Sequence, residues 1–404
     1  MLIARPEDQI LVCVARRSLD LAAAANLRQL LRTDVDWNYL LLMAERHRLV
    51  ASLLYHLVNE CPEEIPANVN STLEKLTQEN TRSNLLLTGE LLKIIELFEG
   101  HGIAAVPFKG PTLALWAYGD VGRREFGDLD ILVRKHDVPA VIKLLVSNGF
   151  TPRPELSAAQ QAAKLRFDCS HNFANEKNVW LDVHWDFVVP SAAVQIDTDK
   201  LWDRLQPIPI NQRVLKTVSV EDLLLILCLH GFTHFWERLG WIADVAALIE
   251  RQEKIDWPLL LKNADRMGSR RMISLGLYLA KNLLGASVPA DVWTSAPADA
   301  TVVALADEVQ RGLFTEGTER IGILSELRLN LAMKEGKRDK LRSCIRLLAT
   351  PRVDDWKLLP LPGSLFFLYY ALRPFRLTGK YAAKLLRGSA DPETSPNGNK
   401  GIVS

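Results

Sequence analysis

The chain has 404 residues, a hydrophobic fraction of 48% and a charged fraction of 24%, enough for two or three domains with ordinary globular cores. Its formal net charge of +1 excludes a global basic field that would collect nucleic acid or anionic lipid, leaving only a local basic groove open. Five scattered cysteines without a CxxC pair argue against a zinc knuckle or a disulfide framework and predict buried thiols of a reducing compartment.

Charges break the apolar run of MLIARPEDQILVCVARR too early for a signal peptide. No uninterrupted apolar stretch approaches the ~20 residues of a membrane span, so a cytoplasmic location is expected. Residues 1–84 read as an N-terminal helical region. Helical periodicity runs from Leu19 to Leu57, with Asp36 as the N-cap ahead of Trp37, Tyr39, Leu40, Leu41 and Met43. A second long helix is predicted from Val69 to Gly100, its buried stripe carrying Leu86, Leu87, Leu91, Ile94, Ile95 and Phe98. Gly100 and Gly102 end it.

Residues 85–215 are the expected α/β core. Ile103–Phe108 reads as a strand, the residues after Pro111 as a helix, Leu129–Val133 as a second strand and Asp137–Ser147 as a helix closing near Gly149. Leu165–Ala174 and Val179–Val188 are predicted as strands of a hairpin around the polar turn 175–178. Ser219 with Asp222 resembles a capping box and opens a C-terminal helical domain over residues 216–350. Its helices are expected at Ile242–Ile249, Trp257–Met267, Arg271–Leu284 and Val302–Leu327. Residues 351–387 form an aromatic and basic segment, and 388–404 a polar tail expected to be disordered.

The stretch that carries chemistry is VPFKGPTLALWAYGDVGRREFGDLDILV, residues 106–133. Lys109-Gly110-Pro111 turns a strand into a helix; glycine permits close backbone approach to a ligand, and free N–H groups at a helix start can face phosphate. On the next strand Asp128 and Asp130 share one face, because side chains two apart in an extended chain point the same way. In VWLDVHWDF the same period aligns Asp182, His184 and Asp186. Adjacent carboxylates repel, and a hard divalent cation offsets them, so Asp128, Asp130 and Asp182 are the expected metal ligands and catalytic residues. Two metals could be held there for an in-line displacement.

The order strand, Lys-Gly, helix, Asp-x-Asp, strand, Asp resembles the DNA polymerase β-like nucleotidyltransferase superfamily. More narrowly, the chain is similar to the bacterial family called uncharacterised nucleotidyltransferase, the NTP transferase family 5 type. The motifs are Lys109-Gly110, Tyr118, Arg124, Asp128-Leu129-Asp130, Asp182-Val183-His184-Trp185, His230, His234 and Trp241-Ile242-Ala243-Asp244, and the likeness covers residues 30–260. It departs from the superfamily where Pro111 follows Gly110 in place of a serine or second glycine.

The resemblance implies an α+β fold, a polymerase β-like core with a small mixed sheet flanked by helical regions. It also implies transfer of a nucleoside monophosphate, by default AMP, from an NTP (by default ATP) to an acceptor hydroxyl on a small molecule, a protein or a nucleic-acid end. Mg²⁺ or Mn²⁺ is the implied cofactor, with Asp182 as ligand of a second metal or as base for the acceptor. Lys109, Gly110, Arg123, Arg124 and His184 are the implied nucleotide-binding residues, the three cations offsetting triphosphate charge.

Several residues keep a plainer alternative. His184 and His171 also read as satisfied buried histidines, and Asp168 as a surface residue. His230, His234 and Glu237 share a helical face like a metal trio, yet packing against Trp241 and Asp244 accounts for them as well. The segment 358–387 either packs on the helical domain or contacts a membrane surface or protein partner. Two other functional classes stay open: a non-catalytic interaction protein of this fold, in a biosynthetic or toxin–antitoxin system, and a zinc hydrolase centred on His230 and His234.

Overall fold

The computed structural model describes residues 5–188, 194, 196–252, 254–315, 328, 331–333 and 337–376. Four helices come first, α1 (Pro6–Val14), α2 (Leu21–Leu31), α3 (Trp37–His47) and α4 (Val50–Glu60), followed by the 34-residue α5 (Ala67–Gly100). Asp36 caps α3 as its position predicts, accepting from the Tyr39 amide at 3.0 Å. The expected division at 84/85 falls inside α5, which is continuous.

The core sheet then forms from β1 (Ala105–Pro107), β2 (Asp128–Val133), β3 (Phe150–Arg153), β4 (Ser170–Asn175) and β5 (Trp180–His184), in the order β1-β2-β5-β4-β3. Only β2 and β5 run parallel; the other neighbours are antiparallel. Between strands lie the short helix α6 (Pro111–Leu113) running into a π turn (Ala114–Tyr118), then α7 (Val138–Ser147) and α8 (Ala158–Phe167). The predicted strand Leu165–Ala174 is therefore half wrong: Ser157 and Gln160 form a reciprocal capping box that carries the chain as helix through Phe167, and the strand begins at Ser170.

Alternation divides the sheet into two faces. Leu129, Ile131, Val133, Phe173, Leu181 and Val183 bury against Leu91, Ile94, Ile95 and Phe98 of α5 and Val141 and Leu145 of α7. The opposite face presents Asp128, Asp130, Asn172, Asp182 and His184. It fronts a cleft closed by the helical layer.

After α9 (Thr198–Trp202) and the hairpin β6 (Gln206–Ile210) and β7 (Arg213–Thr217), the chain returns to helices α10 (Val220–Thr233), α11 (Leu239–Arg251), α12 (Trp257–Arg266) and α13 (Arg270–Leu284). Nearly every side chain of α10 is buried, as befits a helix apolar on all sides. Its core is continuous with α1–α4 and reaches Val106, Phe108 and Leu132 at the edge of the sheet. N- and C-terminal helices thus pack as one layer. Among the described residues no helix is long and apolar enough to cross a membrane.

The predicted helix Val302–Leu327 is seen as Ala300–Leu313; positions 316–327 lie outside the described residues. Among the described residues the aromatic segment packs on α8 of the core: Trp356, Phe366 and Tyr369 bury with Phe167, and Arg373 pairs with Asp355 at 2.8 Å. Its final residues, 377–387, and the tail 388–404 lie outside the described residues.

Two buried histidines tie the helical layer together. His47 Nδ1 accepts the Leu239 amide at 3.1 Å, and His56 Nε2 donates to the Arg16 carbonyl at 2.8 Å. Burial pushes both imidazoles down to about 4. Between that value and the ordinary 6.5 the unfolded chain binds more protons than the folded one, so stability falls as pH drops through this window. The urea midpoint is expected to be lower at about pH 5 than at about pH 7.5, and His56→Gln to narrow the gap. Equal midpoints for the wild type at the two pH values would contradict this account.

Candidate active site

The parallel register sets Asp130 of β2 directly beside Asp182 of β5, with Leu132 beside His184 and Asp128 beside Trp180. Asp130, Asp182 and His184 each offer a ligand atom within 4.8 Å of the others, the one such set among the described residues. Asp128 does not belong to this set; it stands one step along the same face, exposed at the cleft.

Asp130 is 7% exposed and is met by two partners: His184 Nε2 at 3.2 Å and Lys109 Nζ at 3.7 Å. Burial alone would raise its carboxyl, but Lys109 and the His184 hydrogen bond outweigh it and hold Asp130 well below the usual carboxylate range. Asp182 goes the other way. Burial, then the Asp130 charge beside it, pushes its carboxyl up to about 6. The charge of Asp130 likewise raises Asp128. The face therefore carries more negative charge than its own cations balance. Two carboxylates and an imidazole converging there suit a hard or borderline divalent cation.

Asn172 is a site residue that the motif reading passed over. It lies opposite Asp182 in the antiparallel β4–β5 pair and donates its side-chain N–H to Asp182 Oδ1 at 2.5 Å. The hairpin is centred on Lys177: five residues back lies Asn172 and five forward lies Asp182. His171, by contrast, faces the core side of β4 and is 1% exposed. Asp186 lies beyond β5, its carboxylate accepting the Phe187 amide at 2.7 Å. Asp168 is not a free surface residue but pairs with the buried Lys164 at 2.7 Å.

Gly110 adopts φ 53°, and a Cβ there would lie 3.2 Å from the Asp128 carbonyl, so both torsion and space call for glycine. The helix after it is only three residues before the π turn, and the Thr112 amide already bonds to the Lys109 carbonyl at 3.2 Å. Lys109 itself reaches into the cleft. Its ammonium donates to His230 Nδ1 at 3.3 Å, and burial and the Lys109 charge keep His230 neutral. His230, His234 and Trp241 form a three-ring cluster with centroids 4.6–5.3 Å apart, and neither histidine enters a potential metal set among the described residues.

The two arginines expected at the phosphates both line the cleft and each also has partners within the fold, with Arg123 Nε and Arg124 Nη1 left without one. Arg124 makes a bidentate pair with Asp244 at 2.8 and 2.9 Å, and Tyr118 donates to the same carboxylate at 3.1 Å. Arg123 donates to the Arg17 carbonyl at 2.9 Å and stacks 3.6 Å over the Tyr55 ring. Tyr118, Arg124 and Asp244 thus join the carboxylate-bearing segment to α11. The cleft they flank has a volume of about 1030 Å³ and is lined by Lys109, Asp128, Asp130, Asn172, Asp182, His184, His230 and Trp241, with Arg48 and Arg238 on the far wall.

Breaking the Arg124–Asp244 pair from one side strands a buried guanidinium, which typically costs about 3–5 kcal/mol. Asp244→Asn is expected to lower unfolding stability by an amount of that order, and Tyr118→Phe by about 1 kcal/mol. Urea denaturation checks both. An Asp244→Asn loss below about 1 kcal/mol would show that Arg124 is not held structurally.

No curated protein matches the chain. Among solved structures, the lincosamide antibiotic adenylyltransferase LnuA, crystallised with lincomycin, matches at 20% identity over 34% of this chain and 83% of its own, with a TM-score of 0.26. The family described as uncharacterised nucleotidyltransferase matches residues 33–285, a span holding the whole sheet, the cleft and helices α10 and α11. The chain belongs to that nucleotidyltransferase family.

Proposed function

We propose that the protein transfers a nucleoside monophosphate, AMP from ATP by default, to an acceptor hydroxyl in a reaction that needs Mg²⁺ or Mn²⁺. The observation that carries the reading is the convergence of Asp130, Asp182 and His184 beside Lys109 on one face of the cleft. Family membership supports nucleotidyl transfer in general.

Asp130 and Asp182 would hold the cation, with Asp128 flanking them and His184 beside Asp130. When bound, a divalent cation neutralises phosphate charge and polarises the reacting phosphoryl group. The remaining work belongs to side chains of this protein. Lys109 offsets charge on the polyphosphate as it leaves. Asn172 fixes the Asp182 carboxylate through its amide, and His184 fixes Asp130. Asp182, abreast of Asp130, would take the proton of the attacking hydroxyl, whose oxygen forms the new bond to the α-phosphorus while pyrophosphate departs. The sheltered cleft favours these electrostatic contacts over bulk water.

The test is incubation with NTPs labelled at the α-phosphate, cell extract and Mg²⁺, comparing wild type with Asp130→Asn and Asn172→Ala. Label transfer is expected from the wild type, with a loss of at least about 100-fold for Asp130→Asn and about 10-fold for Asn172→Ala. Absence of both label transfer and calorimetric binding of Mg²⁺ with every NTP would favour the other reading, a non-catalytic interaction protein built on this fold.

A further inference from the structure

Of the cations that the motif reading assigned to phosphate, Arg123 and Arg124 line the cleft but have partners within the fold. Across the cleft stand two that it did not assign. Arg48 follows α3, and Arg238 precedes α11 as its N-cap residue. Both line the same cavity as the carboxylates. The two helix ends are packed tightly: a Cβ on Gly240 would come within 2.6 Å of the His47 carbonyl and 3.6 Å of Arg48 Cβ.

From these positions we propose that Arg48 and Arg238 form an oxyanion clamp that grips the polyphosphate of the nucleotide, opposite the metal-holding face. The proposal rests on the nucleotidyl-transfer reading above and names the part of the substrate these residues take.

Three observations support it. First, neither the exposed Arg48 nor the half-buried Arg238 makes an ion pair or a side-chain hydrogen bond among the described residues, and both line the cleft. Glu125, whose carboxyl senses Arg48, is already occupied by the amides of Val50 and Ala51 at 2.6 and 3.4 Å. Second, like charges sit together: burial and the Arg48 charge both loosen the proton of Arg238, while the adjacent Glu237 and then Asp128 steady it. An oxyanion between them would relieve this repulsion, and guanidinium forks match phosphate oxygens bidentately. Third, Arg48 holds a left-handed backbone, φ 58° and ψ 48°, at a helix end where glycine is usual. A non-glycine residue there carries local strain, of the kind that collects at ligand-binding positions.

An oxyanion on the acceptor would present the same chemistry, so the test separates the sources. Calorimetry on the full chain with Mg²⁺ measures binding of ATP, AMP and inorganic tripolyphosphate to the wild type and to the Arg48→Gln/Arg238→Gln variant, with thermal melts confirming that each is folded. The clamp predicts Kd for ATP and tripolyphosphate at least about 10-fold higher in the variant, AMP changed less than about 2-fold, and partial recovery in Arg48→Lys/Arg238→Lys. Raised salt is expected to shrink the difference. If folded variant and wild type bind ATP equally, the clamp is wrong while the nucleotide reading stands, and the pair then faces an acceptor or nothing. Equal losses for ATP and AMP would also overturn it. If the wild type binds neither ATP nor AMP, the nucleotide reading itself fails.

Discussion

Everything in this molecule that resembles chemistry depends on one parallel strand pairing. Because β5 runs alongside β2 in the same direction, Asp130 and Asp182 are brought abreast although 52 positions separate them. Two carboxylates so placed on a largely buried face repel, and the fold tolerates this only through unequal treatment. Asp130 takes the ammonium of Lys109 and the imidazole of His184, while Asp182 receives one amide from Asn172 and remains easier to protonate. The asymmetry sets two neighbouring carboxyls apart in how readily they take a proton, a difference that acid–base catalysis commonly uses.

The helical layer is built to hold that face at a fixed height. Segment 121–128, leading into β2, is pinned from three sides. Asn84 of α5 donates to the carbonyls of Val121 and Arg124, both at 2.7 Å; Arg124 grips Asp244 of α11; and Glu125 accepts the first amides of α4. Tyr118 and Asp244, each a member of a motif, hydrogen-bond to each other and hold elements together. A family motif mixes both kinds of residue, and only tertiary partners tell them apart.

Much of the sheet was legible in the chain. Alternation in DLDILV and WLDVH placed the acidic face, and Asp36 and Ser219 marked helix starts that the structure has. What escaped has physical causes. The strands FTPR and QPIPI contain prolines, which weaken any strand reading, and they sit at a sheet edge and in a separate hairpin where a missing N–H is tolerated. Leu165–Phe167 looked extended by composition, yet the capping box at Ser157 and Gln160 decided for helix. The fates of Arg123 and Arg124 were not legible at all, because their partners Arg17 and Asp244 lie 106 and 120 positions away.

The anchoring of segment 121–128 to three different helices has a mechanical consequence. A segment tied to α4, α5 and α11 at once cannot tilt toward or away from the helical wall without breaking one of these bonds. The width between the acidic face and the helical wall is then set by these bonds, a rigid gauge for whatever enters the cleft. Discrimination by a rigid gauge of this kind rewards molecules that already have the right span, with little gained from reshaping the protein around them.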